Sequence, residues 1–216
     1  MRVEWLKEFQ LRVYGRFSIG LFGSLVLVFA VLTTMQSMVS YPGAMQIVDT
    51  GGFWQGEVAG CSTSPQGNPL GTTCGYFLHN MSVALVAWIG GFAVVGPFYV
   101  LWENGANIGT YIGRAITDPV SLERSWDTTP ALLAFLVPHG IFEIPGIVLS
   151  LALGFYIADI VVDTLRNDTS FSEFSVTNVL RETAPWMVLV IGLLAMAAVI
   201  EANISPLVAS GIEGMF

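Results

Sequence analysis

Long apolar runs without charged residues constrain the fold of this chain more than any other feature. Residues 17–38 contain no ionisable side chain, and residues 78–101 carry no charged group apart from His79 at their margin. About 20 such residues cross the hydrocarbon core of a bilayer as a helix. Over the whole chain 54% of the residues are apolar and 11% are charged, whereas soluble domains usually have about 25% charged residues. The sequence therefore predicts an integral membrane protein.

Further apolar runs complete the predicted architecture. Residues 131–158 form a third span that two prolines and a glutamate interrupt, and residues 186–208 form a fourth. The sequence leaves open whether residues 131–158 cross once or bend at the prolines and return. Residues 105–116 are apolar but too short to cross alone, which is typical of a half-helix or re-entrant segment. We predict an all-α, polytopic transmembrane helical bundle with four full spans plus one or two broken or re-entrant helices.

The basic residues predict the orientation in the cell (plasma) membrane. Four of them precede the first span, whereas residues 40–77 contain none. By the positive-inside rule the N-terminus is cytoplasmic and residues 40–77 form an exported loop. Residues 1–16 fit a cytoplasmic amphipathic basic segment, or equally a plain extension of the first span. Residues 17–216 are predicted to form a single integral membrane domain.

The two cysteines of the chain, Cys61 and Cys74, both lie in the predicted exported loop. Outside the cytoplasm such a pair usually forms a disulfide. Closing a loop of this length stabilises the fold by about 3 kcal/mol in the entropic description. A metal site at this pair is less favoured, because neither a close Cys-x-x-Cys spacing nor a neighbouring histidine is present.

The charge balance is strongly acidic. Sixteen Asp and Glu residues face eight Lys and Arg, of which one is lysine. An acidic, lysine-poor surface is typical of proteins from high-salt habitats, where charges are screened. The same balance argues against a nucleic acid partner.

One helical face in the third span carries ionisable groups. His139 and Glu143 are four residues apart and share a face, which continues through Gly146, Ser150 and Gly154. Small residues at this spacing allow helix backbones to approach closely. This stripe is predicted to face other helices.

Residues 104–114 show a similar pattern. Gly105, Gly109 and Gly113 form a second small-residue ladder, and Asn104 and Asn107 lie beside it. Such ladders are typical of helix-packing faces and would accommodate a second copy of the chain in a homodimer.

Two further polar residues, Asn80 and Glu201, fall inside predicted spans. Ionisable groups at bilayer depth are costly and mark candidate functional sites. We hypothesise one intramembrane polar site formed by His139, Glu143, Glu201, Asn80, Asn104 and Asn107.

Three interpretations of this polar site stay open. The groups bind helices to one another; they form an ion, proton or solute site; or they belong to an intramembrane metal hydrolase. The His139–Glu143 pair supplies two ligands, whereas zinc requires three or four. The sequence contains no HExxH, GxSxG or Walker motif. We therefore predict no catalytic residue, no metal site and no cofactor.

The run Pro-His-Gly-Ile-Phe-Glu-Ile-Pro at residues 138–145, followed by an Ala/Gly-rich helix, resembles the signature of the stage II sporulation protein M family. The His79-Asn80 and Asn104-Gly105 pairs and the segment around Glu201 support the resemblance. It covers most of residues 78–208, and the loop at 40–77 contributes nothing to it.

This resemblance implies a polytopic inner-membrane protein. The namesake is a membrane scaffold for peptidoglycan-remodelling enzymes during engulfment, and related proteins occur in organisms that make no spores. The family contributes no catalytic residues. The leading expectation is a non-enzymatic scaffold or assembly partner in envelope or membrane remodelling, with the lipid bilayer and other membrane proteins as partners. The alternatives are a channel or secondary transporter and, less favoured, an intramembrane metal-dependent hydrolase.

Overall fold

The computed structural model describes Cys61 and residues 68–105, 129–166 and 175–213. Every element in these ranges is helical, so the predicted all-α class is confirmed for this part of the chain. The elements are α1 (Pro69–Ile89), a 3₁₀ turn (Gly90–Ala93), α2 (residues 95–105), α3 (Thr129–Arg166), α4 (Val176–Asn203) and α5 (Ser205–Glu213).

Within the described ranges, three segments are long and apolar enough to span a bilayer. They are Pro69–Ala93, Ala134–Arg166 and Val176–Asn203. The predicted first span and the basic N-terminal segment lie outside the described residues, so four full spans stay a prediction.

The first of these segments begins earlier than its apolar pattern predicts. Pro69 lies in the first turn of α1, where its missing N–H costs no hydrogen bond. The hydroxyls of Thr72 and Thr73 donate to the carbonyl oxygens of Asn68 and Pro69, at 3.2 and 2.8 Å. The prediction of a loop up to residue 77 is therefore wrong for 69–77, because polar side chains there bond to their own helix.

The same segment also ends earlier than predicted. A 3₁₀ turn follows α1, and Val94 then adopts φ 67°, which is unfavourable for a β-branched residue. A Cβ added to Gly96 would lie 2.6 Å from the carbonyl carbon of Gly90, so the two backbones nearly touch. This tight bend separates the predicted single span at 78–101 into α1 and α2.

The third predicted span is one continuous helix. α3 has 38 residues, with Pro138 and Pro145 inside it, and is about 57 Å long. Residues 131–158 therefore lie in one uninterrupted helix and do not bend back at the prolines. Of the most apolar stretch of α3, 67% is buried, against 22% for α1 and 33% for α4. α3 is the central helix of the bundle.

The last predicted span consists of two helices. α4 begins after the N-cap Ser175, whose hydroxyl accepts from the Asn178 backbone N–H at 3.3 Å. Ile204 separates it from α5, because Pro206 cannot continue a helical hydrogen-bond ladder. α5 then packs mainly against α3.

Both faces of α4 are apolar, the face that packs in the bundle and the face that is exposed. Leu194 and Val190 are fully buried, whereas Val188 is 67% exposed and Met196 is 50% exposed. A helix that is hydrophobic all round and half exposed is expected to face lipid with its open side.

Two hydrogen bonds fix the direction of α1 relative to α4. The Trp88 indole donates to the Thr183 hydroxyl at 2.9 Å, and the Asn203 amide donates to the Thr73 hydroxyl at 3.3 Å. The two helices are therefore antiparallel.

The contacts between α3 and α4 likewise show the relative direction of these two helices. The Tyr156 hydroxyl donates to the Glu182 carboxylate at 3.1 Å, and Gly146 packs against Leu194. α3 is thus antiparallel to α4 and parallel to α1. The connection between α1 and α3 consequently joins opposite ends of the bundle.

The predicted Cys61–Cys74 disulfide is present, with Cα atoms 5.2 Å apart. Cys74 lies in the first turns of α1, next to Thr73 and its partner Asn203. We call this end of the bundle, where α1 begins and α4 finishes, the disulfide end.

Candidate functional site

Three ionisable side chains converge near the disulfide end. His139 and Glu143 lie one turn apart on α3, with Nε2 and a carboxylate oxygen 3.6 Å apart. Glu201 approaches them from the last turn of α4. One ligand atom from each of the three residues lies within 4.8 Å of the others. We call these three residues the His–Glu–Glu cluster.

A second set of contacts fixes the imidazole of the cluster. Its Nδ1 lies 3.1 Å from the hydroxyl oxygen of Ser205, and the Phe135 ring packs edge-on at a centroid distance of 5.4 Å. His139 is 5% exposed and Ser205 is fully buried. The ring therefore presents Nε2 to Glu143 while Nδ1 is held by α5.

Ser205 is not among the site residues predicted from the sequence. Its place follows from the break at Ile204, which turns α5 back over α3. The available signal was the Ser-Pro pair at 205–206, since a serine followed by a proline is a typical helix start.

The arrangement offers one nitrogen and two carboxylate donors from two helices. Both glutamates are half-buried, with 27% of the Glu143 side chain exposed, whereas His139 is buried. Such a set can exchange a proton, bind a cation, or hold α3 against α4 by hydrogen bonds.

Asn80 does not belong to the cluster, although it is buried. Ala87 of α1 packs against Gly154 of α3, so these two residues lie at the same height in the bundle. Asn80 precedes Ala87 by seven residues, whereas His139 precedes Gly154 by fifteen residues. Because α1 and α3 are parallel, Asn80 lies about 12 Å further along the bundle than His139. Its amide nitrogen is buried and has no hydrogen-bond partner among the described residues.

The other predicted polar residues lie elsewhere or outside the described chain. The Asn104 amide donates to the Val100 carbonyl of its own helix at 2.9 Å. Gly105, at the end of α2, is buried. Asn107, Gly109 and Gly113 lie outside the described residues.

The stripe of small residues on α3 is buried throughout. Gly146 faces Leu194 of α4, and Gly154 faces the backbone of Ala87 on α1. The Ser150 hydroxyl donates to the Ile147 carbonyl of its own helix at 2.7 Å. This stripe packs within one chain, so a homodimer stays a prediction for the ladder at 105–113.

Comparison with known proteins identifies a family. The sequence profile described as stage II sporulation protein M matches residues 18–206, which is most of the chain. No curated protein and no solved structure matches it. The profile covers all three candidate spans and each member of the His–Glu–Glu cluster. The chain belongs to the stage II sporulation protein M family.

Proposed function

We propose that this protein is a non-enzymatic membrane scaffold or assembly partner in envelope or membrane remodelling. In this proposal it is a multi-pass plasma membrane protein with a cytoplasmic N-terminus and an extracellular loop over residues 40–68. Its partners are the bilayer and other membrane proteins. Membership of the stage II sporulation protein M family supports the proposal.

The observation that carries the proposal is the use of polar side chains between helices. Pairs such as Trp88–Thr183 and Tyr156–Glu182 each join two different helices. Polar groups used in this way specify packing in a medium where apolar contact alone does not. A core held at fixed points, with apolar side chains on its outer faces, suits docking of other membrane proteins.

A channel or secondary transporter is the second candidate function. The convergence of His139, Glu143 and Glu201 favours it, because clustered ionisable groups inside spans often mark ion or proton sites.

Glu143→Gln separates the two functions in purified, reconstituted protein. For a scaffold we expect no proton or sodium flux in wild-type proteoliposomes above empty vesicles. The variant should lose about 1 kcal/mol of unfolding free energy in detergent, because the carboxylate beside His139 is neutralised. For a transporter, wild-type flux should be measurable and should disappear in a folded variant.

Glu182→Gln is the matched control for these assays. Glu182 is a carboxylate on α4 that contacts Tyr156, far from the cluster. Its replacement should leave any flux unchanged. Cleavage of a peptide or lipid that depends on Glu143 would contradict the non-enzymatic part of the proposal.

A further inference from the structure

The geometry points to a site for one divalent transition-metal ion, with zinc as the reference ion, at the His–Glu–Glu cluster. We propose that His139 Nε2 and the carboxylates of Glu143 and Glu201 bind it. The ion would join α3 to α4 near the disulfide end. This inference does not depend on whether the chain is a scaffold.

The spacing of the donor atoms fits a small ion. Zinc binds imidazole nitrogen and carboxylate oxygen at about 2.0–2.2 Å, so neighbouring tetrahedral ligands lie about 3.4 Å apart. The His139–Glu143 pair is already at 3.6 Å. Since one donor atom from each residue lies within 4.8 Å of the others, the third ligand has at most about 1.4 Å to close. A side-chain torsion of Glu201 can supply that movement.

The orientation of the imidazole also fits a ligand. Metal-bound histidines usually donate their other ring N–H to an oxygen, which fixes the tautomer and the ring plane. Ser205 Oγ lies 3.1 Å from Nδ1 and can accept that proton. Nε2 then carries the lone pair on the side where Glu143 lies. Ser205 comes from α5, which begins four residues after Glu201, so a third helix contributes to holding the imidazole.

The charge of the cluster also favours a cation. With both carboxylates ionised and the imidazole neutral, the cluster would carry two negative charges, which a divalent cation would neutralise. Among the described residues the only Lys or Arg side chains are Arg166 and Arg181. They lie 23 residues after Glu143 on α3 and 20 residues before Glu201 on α4, about 30 Å or more along those helices. Neither can neutralise the cluster.

The donor set selects the class of metal. One imidazole with two carboxylates suits zinc, manganese, iron or cobalt, whereas magnesium and calcium prefer all-oxygen sites. Three protein ligands leave a fourth position for water. The nearby Cys61–Cys74 disulfide is expected on the oxidising, exported side. The ion would therefore arrive from outside the cell.

Zinc binding to the full-length protein in detergent tests the site. After chelator treatment and dialysis against zinc, elemental analysis should give one zinc per chain. Competition with a fluorescent chelator should show at least tenfold weaker binding in Glu143→Gln and in Glu201→Gln. Ser205→Ala keeps all three ligands and should weaken binding about tenfold. Cobalt loading should give visible absorption bands in the wild type that these variants lose or shift.

Glu182→Gln provides the control, because this α4 carboxylate contacts Tyr156 and lies outside the cluster. It should bind zinc like the wild type. If Glu201→Gln does not fold, Glu143→Gln and Ser205→Ala still decide the question. Well below one zinc per chain in the wild type, or wild-type affinity in Glu143→Gln, would overturn the proposal. Zinc binding in a protein that also shows flux would keep the site and overturn only the scaffold function.

Discussion

Replacing Gly154 by alanine should lower the free energy of unfolding by about 2 kcal/mol. The added Cβ would collide with the carbonyl oxygen of Ala87 and lie 2.9 Å from its carbonyl carbon. Overpacking of a tight contact costs up to about 3 kcal/mol, and alanine regains about 1 kcal/mol in helix propensity. No rotamer change relieves a collision with backbone, so α1 and α3 must separate.

Gly192→Ala is the matched control for this experiment. Gly192 lies in the middle of α4, and a Cβ added there meets no atom within 4 Å. Its replacement should leave stability unchanged or raise it by up to about 1 kcal/mol. Both variants are measured by dodecyl sulfate titration in mixed micelles. Equal stability of the two variants would show that α1 and α3 do not approach at Gly154.

Reduction of the Cys61–Cys74 disulfide should cost about 3 kcal/mol of stability. The bridge closes a loop with a sequence separation of 13, and a link of that length restricts the unfolded chain by this amount. Thermal unfolding with and without reductant measures the loss. These are the only cysteines in the sequence, so the reductant acts at one place.

The Cys61→Ser/Cys74→Ser double variant completes the disulfide experiment. It should match the reduced wild type and should not respond to reductant. A reductant effect that persists in the double variant would show that the stability change has another origin.

Much of the helical framework could be predicted from the sequence, because apolar runs without charge have few alternatives to a membrane helix. The face shared by His139 and Glu143 also follows from their spacing alone. Boundaries were less predictable. α1 begins at Pro69 because Thr72 and Thr73 bond to their own helix, and a hydropathy pattern does not register such bonds.

Only some of the residues that form the site could be predicted from the sequence. A stripe of residues shows which face of a helix packs against its neighbours. It does not show how far the two helices are shifted relative to each other along their axes. The packing of α4 on α3 places Glu201 beside His139. Asn80, on α1, instead lies about 12 Å further along the bundle axis than His139. Ser205 reaches Nδ1 only because the chain turns at Ile204, which is a property of tertiary packing.

The spacing of the small residues predicts helix–helix contacts correctly, but it does not identify the residues on the other side of each contact. Gly146 and Gly154 do lie at helix–helix contacts, as their spacing predicts. Their neighbours are Leu194 and Ala87 of the same chain rather than a second copy. A four-residue ladder is equally compatible with both, so only the assembled bundle distinguishes them.

Photo-crosslinking in native membranes tests the scaffold proposal most directly. A photoreactive residue is placed in turn at Leu78, Ile141 and Val188, which are 42%, 63% and 67% exposed on α1, α3 and α4. The three positions serve as controls for one another, because random encounters would label all faces equally. The proposal predicts a discrete product with another membrane protein that is confined to one or two faces. Lipid adducts alone at all three positions would contradict it.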